Sequence, residues 1–146
     1  MIRSVLGEAE RRFLADARRA MLVTIDPAGL PRPVPICHVV LDGALFTPLD
    51  EKPKAAGDPL ALARVRDILA RPDVVVLVDR WSEDWRRLAW LRVYGTALVV
   101  EPGGEPHRPA LAALREKYPQ YREQRLENRP VIRVDFGRSR SWGDLG

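Results

Sequence analysis

The sequence holds a single cysteine, Cys37, among 146 residues. An intrachain disulfide and a thiolate zinc cluster are thereby excluded. Histidine is almost as scarce, with His38 and His107 alone, so no metal site is expected. Of 24 cations only Lys52, Lys54 and Lys117 are lysine, and the rest are arginine. No apolar run approaches the ~20 residues that span a bilayer, and no membrane association is expected. The mixed start Met1-Ile2-Arg3-Ser4-Val5-Leu6-Gly7-Glu8 lacks the pattern of a secretory signal. Aromatics make up 7%, with no RNA-stacking signature, and the net charge of +4 is scattered among carboxylates. Nucleic acid is therefore not an expected partner. Glycine-rich nucleotide motifs are missing: Gly103-Gly104 lacks the G-x-G-x-x-G spacing, and there is no P-loop and no G-x-S-x-G. The acid pairs Asp50-Glu51 and Glu83-Asp84 are adjacent in sequence and read as solvated loop acids. Repeats and linkers are also missing, so one cytoplasmic domain over 1–146 is expected.

What is present is a strand-rich pattern. Val5, Leu6, Ala9, Phe13, Ala17 and Ala20 recur near helical spacing, which predicts a helix over 4–20 capped by Ser4. Residues 20–26 read as a buried strand and Asp26-Pro27-Ala28-Gly29 as a turn. A second strand runs over about 33–41, and Asp42-Gly43 signals a hairpin to a third at 44–47. Asp58-Pro59 starts a helix that continues to about Ala70. Strands follow at 74–78 and about 88–101, then a helix at 107–117 and an alternating strand at 131–136. Six strands joined by short turns predict an antiparallel sheet that closes on itself, mainly β with flanking helices.

Pro31, Pro33 and Pro35 fall at alternate positions. Three prolines in phase remove three N–H donors from one side of a strand, and that side cannot carry a ladder. It is either an edge protected against aggregation or a strand opening onto a ligand slot. Lys52 and Lys54 end the loop after the third strand, and Arg64 and Arg66 lie on the next helix. Such cations can hold an anionic phosphate. Two apart, Arg64 and Arg66 point to nearly opposite helix faces. The competing reading is a solvated basic surface with pairs such as Arg64 with Asp67.

The stretch from Ala20 to Val99 resembles the flavin/deazaflavin oxidoreductases of the pyridoxamine 5′-phosphate oxidase-like, FMN-binding split-barrel superfamily. The resemblance rests on Gly29-Leu30-Pro31-Arg32-Pro33-Val34-Pro35-Ile36 and on the run from Leu45 to Lys54 with its Thr47-Pro48-Leu49-Asp50-Glu51-Lys52-Pro53-Lys54. It rests also on the run from Arg64 to Val74 and on Gly95-Thr96-Ala97. With Asp79-Arg80-Trp81-Ser82-Glu83-Asp84-Trp85, the pattern is most similar to an actinobacterial branch described as coenzyme F-420 dependent.

The resemblance implies a six-stranded antiparallel split β-barrel and a homodimer with two cofactor sites at the interface. Coenzyme F-420 is the favoured cofactor and FMN the alternative. Deazaflavin chemistry is limited to two-electron hydride transfer, whereas FMN also reacts with oxygen. By the same resemblance Val34, Pro35, Ile36 and Cys37 border the ring, largely through backbone. Thr47, Pro48, Leu49, Lys52 and Lys54, with Arg64 and Arg66, hold the phosphate end. Asp67 stands where the family has Asn, so it pairs with Arg64 or Arg71, or the helix is turned differently. The implied activity is hydride transfer to or from a small organic substrate; the alternative is a non-catalytic flavin or deazaflavin carrier. His38, Trp81, Trp85 and Tyr94 are candidate pocket residues, and Trp90 can join them. Core or interface roles compete for the tryptophans, and a structural role for His38. No catalytic residue is assigned; Tyr94 and His38 are proton-donor candidates because they can titrate or hydrogen-bond. Trp142 is placed against the partner's site.

Overall fold

The structure is a computed structural model that describes residues 6–49 and 62–146. Helix α1 (Glu8–Asp16) leads into β1 (Ala20–Ile25), β2 (Pro31–Ile36), β3 (Val39–Leu41) and β4 (Ala44–Pro48). Helix α2 (Ala63–Ala70), β5 (Asp73–Arg80), β6 (Ala89–Val100), α3 (His107–Lys117) and β7 (Val131–Gly143) follow. The seven strands form one antiparallel sheet in the order β2-β1-β5-β6-β7-β4-β3. The sheet curls into a split barrel.

Seven strands stand where six were expected, because residues 37–38 leave the second strand. The His38 N–H donates to the Tyr118 hydroxyl at 3.1 Å. Its carbonyl accepts from Lys117 Nζ at 2.9 Å and from Tyr118 at 3.2 Å. Side chains at the end of α3 thus take the backbone groups that a neighbouring strand would use. Helix α1 is shorter than 4–20: Ala17 is already extended, and the carbonyls of Ala15 and Ala17 accept from Lys117 Nζ. Ser4, Asp58 and Pro59, the expected cap residues, lie outside the described residues. Strand β7 is longer than expected. Its second half is polar on both faces, Ser139 donating inward to Glu10 at 2.6 Å while Arg138 and Arg140 point outward, so no alternation marks it.

The Asp42-Gly43 hairpin forms as read, with φ of 48° and 80° at those residues and Leu41 opposite Ala44. Gly95 sits at the β6–β7 irregularity, where a Cβ would lie 2.6 Å from the Asp135 carbonyl. Two apolar clusters fill the molecule. In one, α1 and α2 cover the inner sheet face through Leu14, Val65 and Ile68 against Leu22, Val76, Leu91 and Ile132. In the other, Leu111, Leu114 and Tyr118 pack on Phe46 and Val131. β4 is buried on both faces between them. The outer face of β1, β2, β5, β6 and the end of β7 has no covering layer among the described residues.

Candidate cofactor and substrate site

Among the described residues β2 is an edge strand with β1 as its sole neighbour. Prolines cannot donate, so the pairs bonded to β1 are those at Arg32, Val34 and Ile36, opposite Thr24, Leu22 and Ala20. The carbonyls of Pro31, Pro33 and Pro35 therefore face the open edge, a row of acceptors with no donor between them.

The far end of this edge is cationic. Arg32 Nε donates to Asp67 Oδ2 at 2.8 Å, and the Thr24 hydroxyl donates to the same oxygen at 2.8 Å. Asp67 is 2% exposed, so both bonds hold a carboxylate that would otherwise be costly to bury. The acid thus takes a partner from β2 that neither of the expected pairings, with Arg64 or with Arg71, anticipated. Arg64 lies one turn before Asp67 on the same helix face and is half-buried, while Arg66 is exposed on the other side.

The remaining cofactor candidates divide by depth. Ile36, Thr47, Pro48 and Leu49 are buried, so their side chains belong to the interior and can meet a ligand in this chain through backbone. The Leu49 carbonyl accepts from Arg129 Nε. Val34 is half-buried against the first cluster and Cys37 against the second, and Pro35 is exposed on the outer face. Lys52 and Lys54 lie outside the described residues.

His38 is a core residue, 0% exposed. Its Nε2 lies 2.7 Å from the Leu14 carbonyl. A carbonyl can only accept, so Nε2 carries the proton, and Nδ1 has no partner among the described residues. Burial pushes the ring's pKa down to about 4. Protonation would put a second, unsatisfied N–H into the core. His107 is likewise engaged, Nε2 lying 2.7 Å from the Arg129 carbonyl.

The tryptophans gather at the other end of the sheet. Asp79, Trp90 and Trp142 form one outward row across β5, β6 and β7. With Arg80, Trp81, Leu88 and Ala89 they line a cleft of about 370 Å³. Trp85 is exposed beside it and takes no part in the lining. Tyr94 stands one row beyond Arg92, whose guanidinium lies 5.2 Å from the Trp90 ring centre and 5.6 Å from that of Tyr94. Arg138 covers Tyr94 at 4.5 Å. Trp81 and Trp90 therefore come together, Trp142 joins them, and His38 does not.

Thr47 is far from the tryptophan cleft within one chain. Thr47 pairs with Ile132 near the start of β7, and Trp90 pairs with Trp142 near its end. The strand rise puts on the order of 30 Å of β7 between them. Arg32 and Asp79 stand in the family motifs but were not named as site residues, and Arg92 was not named at all. Asp79 and Arg92 have the outward strand phase that surface acids and arginines share, and Arg32 has the inward phase of Thr24 with a partner that no local pattern announces.

A family model described as pyridoxamine 5′-phosphate oxidase matches residues 6–143. No curated protein matches the sequence. Among solved structures, a conserved hypothetical protein from Mycobacterium tuberculosis is 23% identical with a TM-score of 0.74, over 96% of this chain and 86% of that one. A haem-binding protein from Mycobacterium smegmatis is 19% identical with a TM-score of 0.75, over 100% of this chain and 57% of that one. An F420 reductase is 18% identical with a TM-score of 0.66, over 92% and 98%. At these identities the structures establish a shared fold. No helix among the described residues is long and apolar enough to cross a membrane.

Proposed function

This chain belongs to the pyridoxamine 5′-phosphate oxidase family, and from that premise we propose that it is an oxidoreductase of small organic substrates working with a bound deazaflavin, coenzyme F-420, with FMN as the alternative. The observation that carries the reading is the β2 edge. Its three proline carbonyls offer acceptors to the N–H of a flavin-type pyrimidine ring. Arg32, seated on Asp67, and Arg64, one turn before that acid, stand where the edge ends, as an anionic tail requires. Lys52 and Lys54 extend that set in sequence. A bound deazaflavin supplies the hydride; this chain supplies orientation, charge and shelter from water.

The separation of Thr47 from the tryptophans along β7 favours a homodimer, because two copies can bring the tryptophan cleft of one against the Thr47 region of the other. The outer sheet face suits such contact: Met21, Val23, Val75 and Leu77 form an apolar belt beside Trp90 and Tyr94. A carrier of flavin or deazaflavin without turnover is the competing reading. Haem is less well served, since both histidines spend Nε2 on backbone carbonyls.

Turnover of reduced coenzyme F-420 with a panel of enones tests the enzymatic reading. Oxidation that depends on the acceptor supports it; tight cofactor binding without turnover on any acceptor supports the carrier. Lys54→Ala is expected to weaken cofactor binding by about 1–3 kcal/mol, the range of a charge-assisted hydrogen bond. Unchanged affinity in that variant removes Lys54 from the site.

A further inference from the structure

We propose that the tryptophan cleft binds an organic ammonium cation. The inference rests on the reading of this cleft as the substrate's. Three indoles, Trp81, Trp90 and Trp142, stand around one cavity of about 370 Å³, and the acid on its wall is Asp79. Indole faces carry the negative pole of the ring quadrupole and attract cations more strongly than other side-chain rings do. The cavity is of a size that holds a small ligand.

Arg92 and Arg140 stand one row beyond the cleft, and the carboxylates nearest it favour a cationic guest. Asp79 is exposed and has no ion pair or hydrogen bond among the described residues. Its chain neighbour Arg80 does not answer it. The Arg80 guanidinium turns away, Nε donating to the Arg87 carbonyl at 2.7 Å and an Nη to the Asp144 carbonyl at 2.5 Å. Glu83 adds a second carboxylate at the rim by accepting from Trp81 Nε1 at 3.3 Å. Asp84 is paired with Arg86 at 3.0 Å, which removes that arginine as a competitor. The sheet already uses Trp90 as a cation seat, since Arg92 lies over it at 5.2 Å. An aromatic wall with one unanswered carboxylate selects a soft, weakly hydrated cation over a neutral body of the same shape.

The test is a titration of the full chain, without added cofactor, followed by tryptophan fluorescence. Choline is compared with its uncharged carbon analogue, dimethylbutanol, at an ionic strength held constant with sodium chloride. Choline is expected to give a saturable change, with the analogue at least about tenfold weaker, in line with a desolvated cation–π contact. Asp79→Asn and Trp142→Leu should each lower choline affinity about tenfold. Both sites are exposed, so thermal unfolding of the two variants should match the parent. Equal affinity for choline and dimethylbutanol overturns the proposal, as does an Asp79→Asn variant that binds choline like the parent. Failure of choline in a chain that still binds coenzyme F-420 sinks this inference alone. Choline binding in a chain that takes no cofactor sinks the oxidoreductase reading instead.

Discussion

His38 carries a measurable acid sensitivity. Burial holds its imidazole near 4, against an ordinary value of 6.5. Above 6.5 neither the folded nor the unfolded chain holds the extra proton. As pH falls from there toward 4, the unfolded chain takes up a proton that the folded chain refuses, and stability is lost. Below about 4 both states hold it and the loss levels off. The whole effect is ~3 kcal/mol. Urea unfolding between neutral pH and about pH 4 should show it, and His38→Gln, which keeps an N–H for the Leu14 carbonyl, should flatten the slope. An unchanged slope in that variant assigns the sensitivity elsewhere. Asp67 makes a second residue-scale test. Asp67→Ala leaves the buried Thr24 hydroxyl without its acceptor and should cost about 1–3 kcal/mol in chemical denaturation. Asp67→Asn, which still accepts from both donors, should cost less. The position of Asp67 was legible as a departure from the family's pattern. Its partner was not, because Arg32 is 35 residues away in sequence and meets it only once α2 packs on β1.

Elements were easier to read where their signal was local. The Asp42-Gly43 hairpin needs positive φ at two adjacent residues, and those residues announce it. The proline phase of β2 announced an edge, and β2 is one. The break at residues 37–38 was hidden because its cause lies in α3, where Lys117 and Tyr118 hold the His38 carbonyl. Lys117 also holds the carbonyls of Ala15 and Ala17. Lys117→Met should therefore loosen the end of α1 and the β2–β3 connection together, seen as faster amide hydrogen exchange in both segments. Faster exchange in neither would deny the knot its role. Gly95 is a close approach between β6 and β7. A Cβ there meets the Asp135 carbonyl and a Val134 methyl, each at 2.6 Å. Gly95→Ala should lower stability by roughly 2 kcal/mol or more through overpacking and backbone shift, and a parent-like unfolding midpoint would contradict that.

At the scale of the molecule, the split barrel was legible because strand order, turn signals and the run of family motifs agreed with one another. Of the candidate site residues, Thr47 and the tryptophans lie at opposite ends of β7, and no spacing in one chain shows how two ends meet. If two copies close the site, Leu77→Glu, placed in the middle of the outer face between Met21 and Arg92, should yield monomers of the 16.5 kDa chain with unchanged circular dichroism. The parent should sediment at twice that mass; a monomeric parent contradicts the shared site. We propose that the chain grips a flavin-type cofactor by an acceptor edge and a cationic end. This grip is tested most directly by fluorescence titration of the purified chain with coenzyme F-420 and with FMN. Saturable binding of one molecule per chain is expected, tighter for the deazaflavin. Binding of neither at millimolar concentration would contradict it.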